Sequence, residues 1–177
     1  MQRRSFLHLS LAAPGLAYAL PFAASATPAD EPPRRKVMVR AGTDSTDQPF
    51  ELLDAVFNVK VSGKDTQGRC VIFDTVRRGK VGPALHLHTD LDEWFYVLSG
   101  EFKFQAGEEM MRLKAGDTLF VPQNMPHAFV KVSEGPARLI VMHQPAGSME
   151  EYFRKVSKLP DQRLEARRAI AEQHGMR

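Results

Sequence analysis

The chain has 177 residues, of which 43% are hydrophobic and 25% charged, and its formal net charge is +3. These values are typical of one globular domain and exclude a disordered or collagen-like chain. No basic stripe interleaved with aromatic residues accompanies the small positive charge, so we expect no nucleic-acid partner.

The N-terminal segment has the order of features of an export signal. Arg3 and Arg4 precede an apolar run, and the small residues Ala24-Ser25-Ala26 follow it, as at a signal-peptidase site. Prolines and a glycine interrupt the run, and no charged stop-transfer flank follows, which argues against a permanent membrane helix. We therefore predict a cleaved signal peptide over residues 1–26 and no stable membrane anchor afterwards.

The start of this segment also resembles a specific type of export signal. Arg3-Arg4-Ser5-Phe6-Leu7 resembles the core of the twin-arginine signal of bacterial export. The resemblance implies a periplasmic protein that crosses the membrane already folded. Removing the signal also removes two arginines and no acidic residue, which lowers the net charge to +1.

The strand pattern starts near residue 50. Residues 27–49 are rich in proline and charge and are predicted to form a leader or edge segment. From there to residue 145, short runs rich in Val, Ile, Phe and Thr alternate with turns of Gly, Pro and Asp, which indicates a sandwich or barrel. The predicted strands are 55–61, 70–77, 84–88, 93–99, 101–106, 109–114, 118–121, 127–133 and 137–144.

The pattern becomes helical in residues 146–177. Ser148-Met149-Glu150-Glu151 fits a capping box with Ser148 as the N-cap, and an apolar stripe at helical spacing follows. A second helix is predicted from Pro160-Asp161 to Gly175. We expect both helices to pack outside the strand domain or on a second subunit. Three arginines of the second helix predict a solvated face: Arg163, Arg167 and Arg168.

Three histidines and one glutamate are typical of a metal site. On a strand, His86 and His88 place both imidazoles on one face, Glu93 follows a short turn, and His127 belongs to a different strand. Three nitrogens and one oxygen suit a first-row transition metal with open positions, whereas a structural zinc site is usually closed by cysteines. We predict one divalent metal here, with Mn, Fe, Ni, Co, Cu and Zn all remaining open.

The spacing of these residues resembles the two motifs of the cupin superfamily. The first motif, His-x-His followed by Glu and Gly, is matched by His86, His88, Glu93 and Gly100. The second motif is matched by Gly116, Pro122 and His127, with Asn124 at a glycine position and Lys131 at an asparagine position. The resemblance implies an all-β fold, a small double-stranded β-helix or cupin jelly-roll barrel over residues 50–145 with a C-terminal helical appendage.

A short single-cupin chain with four ligands is similar to quercetin dioxygenase-type members. That resemblance implies a metal-dependent dioxygenase acting on a small aromatic or phenolic compound, with Glu93 doubling as a proton acceptor. Dimerisation is implied by the family resemblance. Three alternatives remain: a non-catalytic metal- or ligand-binding module, a structural barrel, and a decarboxylase of a small dicarboxylate.

Several side chains are candidates for a substrate pocket in such a barrel. They are four aromatic residues and one histidine on predicted strands: Phe95, Phe104, Phe120, Phe129 and His143. Core packing is the default for each, but a pocket that they line would be apolar and would take a small aromatic ligand. Arg77 and Arg78 have two interpretations, contact with an anionic substrate or a solvated strand end, and the second is the simpler.

Overall fold

The structure is a computed structural model of the chain, and it describes residues 34–160 and 163–177. The predicted signal peptide, part of the leader and the predicted start of the second helix at Asp161 lie outside those residues. The described elements are β1 (Phe50–Leu52), β2 (Ala55–Val61), β3 (Val71–Arg77), β4 (Asp92–Ser99), β5 (Glu101–Ala106), β6 (Glu109–Lys114), β7 (Thr118–Val121), β8 (His127–Lys131), β9 (Ala137–Gln144), α1 (Met149–Ser157) and α2 (Leu164–Gln173).

The strands form two antiparallel sheets whose inner faces meet. The larger sheet has the order β1-β2-β3-β9-β4-β7 and the smaller has β6-β5-β8. Alternate residues of each strand point inwards. The ring of Phe95 in β4 lies 5.0 Å from that of Phe104 in β5 and 5.3 Å from that of Phe129 in β8, measured between centroids. The hydrophobic core therefore lies between the sheets.

The predicted all-β class with a C-terminal helical appendage is confirmed, with one correction. Within the described residues, the two sheets do not close into a continuous hydrogen-bonded barrel. β7 ends the larger sheet without pairing with a strand of the smaller one. A single antiparallel bridge between His86 and His127 joins β8 to the segment that precedes β4.

The segment from Ala84 to His88 is not the strand that the sequence predicts. His86 bridges to His127, whereas His88 bridges to Met176 near the C-terminus. Because alternate residues pair with different partners, no continuous ladder forms. Leu87, between the two histidines, exchanges backbone hydrogen bonds of 2.9 and 3.1 Å with Arg177. The end of the chain therefore holds the histidine segment in place.

The start of the first helix differs from the prediction. The capping box does not form, because the Ser148 side chain makes no cap hydrogen bond and its Oγ instead lies 2.6 Å from Nδ1 of His174. This contact ties the start of α1 to the end of α2.

Neither helix in the described part of the chain has the length and hydrophobicity that a membrane span requires.

Candidate metal centre

The structure brings the four predicted ligands together at one end of the space between the sheets. His86 and His88 come from the irregular segment, Glu93 from β4, and His127 from the first residue of β8. One donor atom of each lies within 4.8 Å of the others. Opposite ligands of one first-row ion stand about 4.4 Å apart, so the four donors can converge on a single ion after a small adjustment. His88, Glu93 and His127 are all buried.

Two backbone carbonyls orient the imidazoles in this cluster. Nδ1 of His86 lies 2.9 Å from the carbonyl oxygen of Ala84, and Nδ1 of His127 lies 2.9 Å from that of Met125. A carbonyl only accepts, so each Nδ1 carries the proton and donates it. Nε2 is therefore the ring nitrogen that can ligate a metal, and that of His127, which donates to Glu93, must release its proton to do so. These carbonyls are the orienting partners that the sequence did not reveal.

Glu93 is the centre of the cluster. Its Oε2 lies 2.7 Å from Nε2 of His127 and 3.2 Å from Nε2 of His88. Among the described residues, Nδ1 of His88 has no hydrogen-bond partner although it is buried. A donor set of three imidazoles and one carboxylate, with a buried nitrogen still unpaired, fits a divalent transition metal.

A fourth imidazole, His143 of β9, lies beside the same carboxylate. Its Nε2 is 3.1 Å from Oε1 of Glu93, and the side chain is fully buried. The antiparallel register places Glu93 directly opposite His143. The sequence predicts His143 as a packed or pocket residue, with a supporting role beside the metal ligands as the less favoured alternative. The signal that locates it is the pairing of the two strands, which the sequence alone does not provide.

The charges of the cluster suit metal binding. Burial acts to raise the pKa of the Glu93 carboxyl, but His143 and the hydrogen bonds from His127 and His88 hold that pKa well below its usual range. Burial lowers the pKa of His86 to about 4, and His127 acts in the same direction. Burial also acts to lower the pKa of His127, but its hydrogen bond to Glu93 outweighs this and raises it. Glu93 is therefore ionised and His86 neutral near pH 7.

A cavity of about 680 Å³ opens from the cluster. His86, His88 and Glu93 form part of its wall, and apolar side chains cover much of the rest. These include Leu52, Phe57, Phe129, Val141 and Phe153. Residues of α2 stand at its rim, so the predicted solvated face of this helix is partly a cavity wall.

The five predicted pocket residues separate into three groups. Phe129 and His143 line the cavity. Phe95 and Phe104 are fully buried in the core between the sheets and do not reach it. Phe120 is 57% exposed, because its position in β7 points away from the interior. The cavity wall therefore does not include Phe95, Phe104 or Phe120, although the ring of Phe95 lies 6.2 Å from that of His127, measured between centroids.

Comparison with known proteins identifies the architecture. Residues 73–143 match the family model described as "Cupin domain". KdgF from Halomonas sp. has a similar structure, with 18% sequence identity, a TM-score of 0.50, and coverage of 55% of this chain and 86% of that one. The chain has a cupin fold.

Two further proteins are similar to this chain over part of their length. A predicted oxalate decarboxylase from Thermotoga maritima shares 17% identity over 51% of this chain and 80% of that one, with a TM-score of 0.49. An uncharacterised protein of Methanocaldococcus jannaschii is 28% identical over 67 residues, which is 38% of this chain and 54% of the relative. The chain thus spans about half the length of that curated relative.

Proposed function

We propose that this cupin is a metal-dependent dioxygenase that acts on a small aromatic or phenolic compound. One divalent transition metal would be held by His86, His88, Glu93 and His127. The observation that carries the proposal is the convergence of these four donors, three of which, His86, His88 and Glu93, line a largely apolar cavity. Three nitrogens and one oxygen leave positions open at a first-row metal, and the cavity volume suits a small ligand.

The residues around the metal site have different roles in this proposal. A metal held by these four residues would supply Lewis acidity and, if it is redox-active, a centre for O₂ chemistry. The carbonyls of Ala84 and Met125 keep the imidazoles of His86 and His127 in the ligating tautomer. Glu93 is ionised, and we assign it the role of accepting the proton of the substrate hydroxyl.

The apolar cavity wall favours an aromatic substrate. Phe57, Phe129 and Phe153 line the cavity, and Phe153 also lies 5.8 Å from His143, measured between ring centroids. Aromatic walls bind a planar ring through burial and edge-to-face contacts. They also exclude water from the cluster, which strengthens the electrostatic interactions inside it.

Elemental analysis and oxygen uptake test the proposal together. The full chain is loaded separately with Mn, Fe, Co, Ni, Cu and Zn, and O₂ consumption is measured with catechol and a flavonol. We expect about one bound metal per chain and uptake with at least one metal. His88→Ala should lose both, whereas His174→Gln, which changes a histidine outside the cluster, should retain both. Full metal occupancy without O₂ consumption for either phenol would contradict the dioxygenase and favour a non-catalytic binding module.

We also propose, from the N-terminal sequence, that the protein is exported folded to the bacterial periplasm. A metal bound before export is the one that the cytoplasm offers, so the export route influences which metal is present. Replacing Arg3 and Arg4 by lysine should retain the protein in the cytoplasmic fraction. The same replacement at Arg34 and Arg35, a second arginine pair, is the matched control and should leave export unchanged. Equal export of both variants would contradict the twin-arginine route.

A further inference from the structure

Arg77 is a buried cation inside the cavity. It is the last residue of β3, its side chain is 5% exposed, and it lines the same cavity as Glu93. The two side chains are near enough for their charges to interact. Its neighbour Arg78 points outwards, with a side chain 66% exposed. The interpretation as a solvated strand end therefore holds for Arg78 and is wrong for Arg77.

The Arg77 guanidinium has more N–H donors than the acceptors that the surrounding residues offer. Nη1 donates to Oδ1 of Asp54 over a long 3.4 Å, and among the described residues Nε has no hydrogen-bond partner. A guanidinium carries five N–H donors. The aromatic rings beside it, Phe129 at 4.9 Å and Phe57 at 5.4 Å, stabilise the charge but accept no conventional hydrogen bond. Burying a cation with few partners is unfavourable.

A second arginine, Arg138, forms a doubly hydrogen-bonded ion pair with which the Arg77 contact can be compared. Arg138 of β9 donates from Nε and Nη2 to the two oxygens of Asp74, at 2.7 and 2.5 Å. This is the bidentate arrangement that a carboxylate prefers. Asp54, in contrast, makes one long contact with Arg77 and accepts from the backbone of Val81 at 3.3 Å. Arg77 therefore retains bidentate capacity that no acidic side chain uses.

The rest of the cavity is also positively charged. Besides Arg77, its wall includes Arg167, Arg168 and Arg177, against two acidic side chains, Glu93 and Glu172. Glu93 is engaged with the histidines, and Glu172 lies 3.6 Å from Nε of Arg168. A cleft with this excess of cations attracts anions.

We propose that Arg77 recognises a carboxylate of the substrate, so that the ligand class of the cavity is an aromatic acid. The ring would pack against the apolar wall, a hydroxyl would face Glu93 and the histidines, and the carboxylate would pair with Arg77. The placement of the substrate hydroxyl rests on the proposed function. The placement of the substrate carboxylate rests on the contacts of Arg77 alone. The planar guanidinium fork matches a carboxylate better than a lysine does.

Calorimetric titration with paired probes tests the inference. The metal-loaded full chain is titrated with salicylate and with its neutral counterpart salicylamide. We expect wild type and Arg78→Gln to bind salicylate at least about tenfold more tightly than salicylamide, the low end for a hydrogen bond to a charged group. Arg77→Gln should bind both probes equally, and Arg77→Lys should retain part of the preference. Thermal melting and metal content of each variant check its folding, and Arg77→Lys decides the matter should Arg77→Gln not fold.

The outcomes separate this inference from the proposed dioxygenase. Equal binding of the two probes by wild type, or no binding of salicylate, overturns the inference. A preference for salicylate that survives Arg77→Gln also overturns it, because the carboxylate would then be ligating the metal directly. A preference that depends on Arg77, without O₂ uptake, refutes the dioxygenase and supports the inference. Uptake with catechol and no carboxylate preference supports the dioxygenase and refutes the inference.

Discussion

Asp44 and Glu93 are both 5% exposed, yet they are held by different kinds of partner. Asp44 accepts hydrogen bonds from the backbone and hydroxyl of Thr46, at 2.7 and 2.5 Å, and from the backbone of Val59 at 2.5 Å. Glu93 has imidazole nitrogens of His88 and His127 against one oxygen. Hydrogen bonds lower the pKa of both carboxyls against the opposing effect of burial.

The two carboxylates differ in whether their hydrogen-bond partners can also bind a metal. Backbone N–H groups have no other role, so Asp44 permanently fixes the turn around residues 44–48 to β2. Imidazoles can exchange a hydrogen bond for a metal, and in this cluster Nδ1 of His86 and of His127 is already held by a backbone carbonyl. Equal burial therefore accompanies a structural role in one case and a candidate metal-binding role in the other.

The largest predicted effect is on metal binding by Glu93→Gln. A neutral amide replaces the carboxylate donor with little change in shape, so we expect metal affinity to fall by more than about 100-fold, the upper range for losing an outer partner. Competition with a chelator measures the affinity. Asp44→Asn is the matched variant and should bind metal like wild type. A comparable loss in both variants would remove the distinction between the two carboxylates.

His143→Gln should have the next largest effect. His143 lies 3.1 Å from Glu93 but is not one of the four clustered donors, so it acts by positioning the carboxylate. Losing such a partner weakens metal binding by about 10–100-fold. The same chelator competition measures the affinity. Complete loss of metal, equal to that of His88→Ala, would instead make His143 a ligand.

Asp44→Asn should lower the free energy of unfolding instead. Its carboxylate accepts charge-assisted hydrogen bonds from buried backbone groups, and weakening them costs about 1–3 kcal/mol. Urea denaturation of the metal-free protein measures the change. Glu93→Gln provides the control, since its amide retains part of the hydrogen bonding to the imidazoles. The contrast fails if Glu93→Gln destabilises the metal-free protein more than Asp44→Asn does.

Sequence reasoning identified three ligands because their spacing is local, and the fourth, His127, because a second motif contains it. His86, His88 and Glu93 lie within eight residues, and the motif fixes their separation. His143 and Arg77 were assigned less well because their surroundings depend on long-range contacts, namely the register of β9 against β4 and the rings on either side of the guanidinium.

The same limit explains the wrong predictions about secondary structure. The segment before β4 has strand-like composition but pairs with two different partners, one of them Met176 at the far end of the chain. The capping box at Ser148 has the expected residues, but His174 competes for the serine hydroxyl. In both cases a contact with a distant segment overrides the local preference.

The smallest predicted effect is the acid dependence of the Asp44 contribution. The folded-state pKa of Asp44 is lowered, so its stabilisation is fully present above the unfolded value of about 3.9 and is lost as pH falls through the folded value. The difference in unfolding free energy between wild type and Asp44→Asn should therefore be constant from about pH 7 to 5 and narrow below about pH 4. Urea titrations of the metal-free protein at several pH values measure it. A difference that widens on acidification would show that the Asp44 carboxyl is stabilised in its protonated form, and the contrast with Glu93 would then need a different cause.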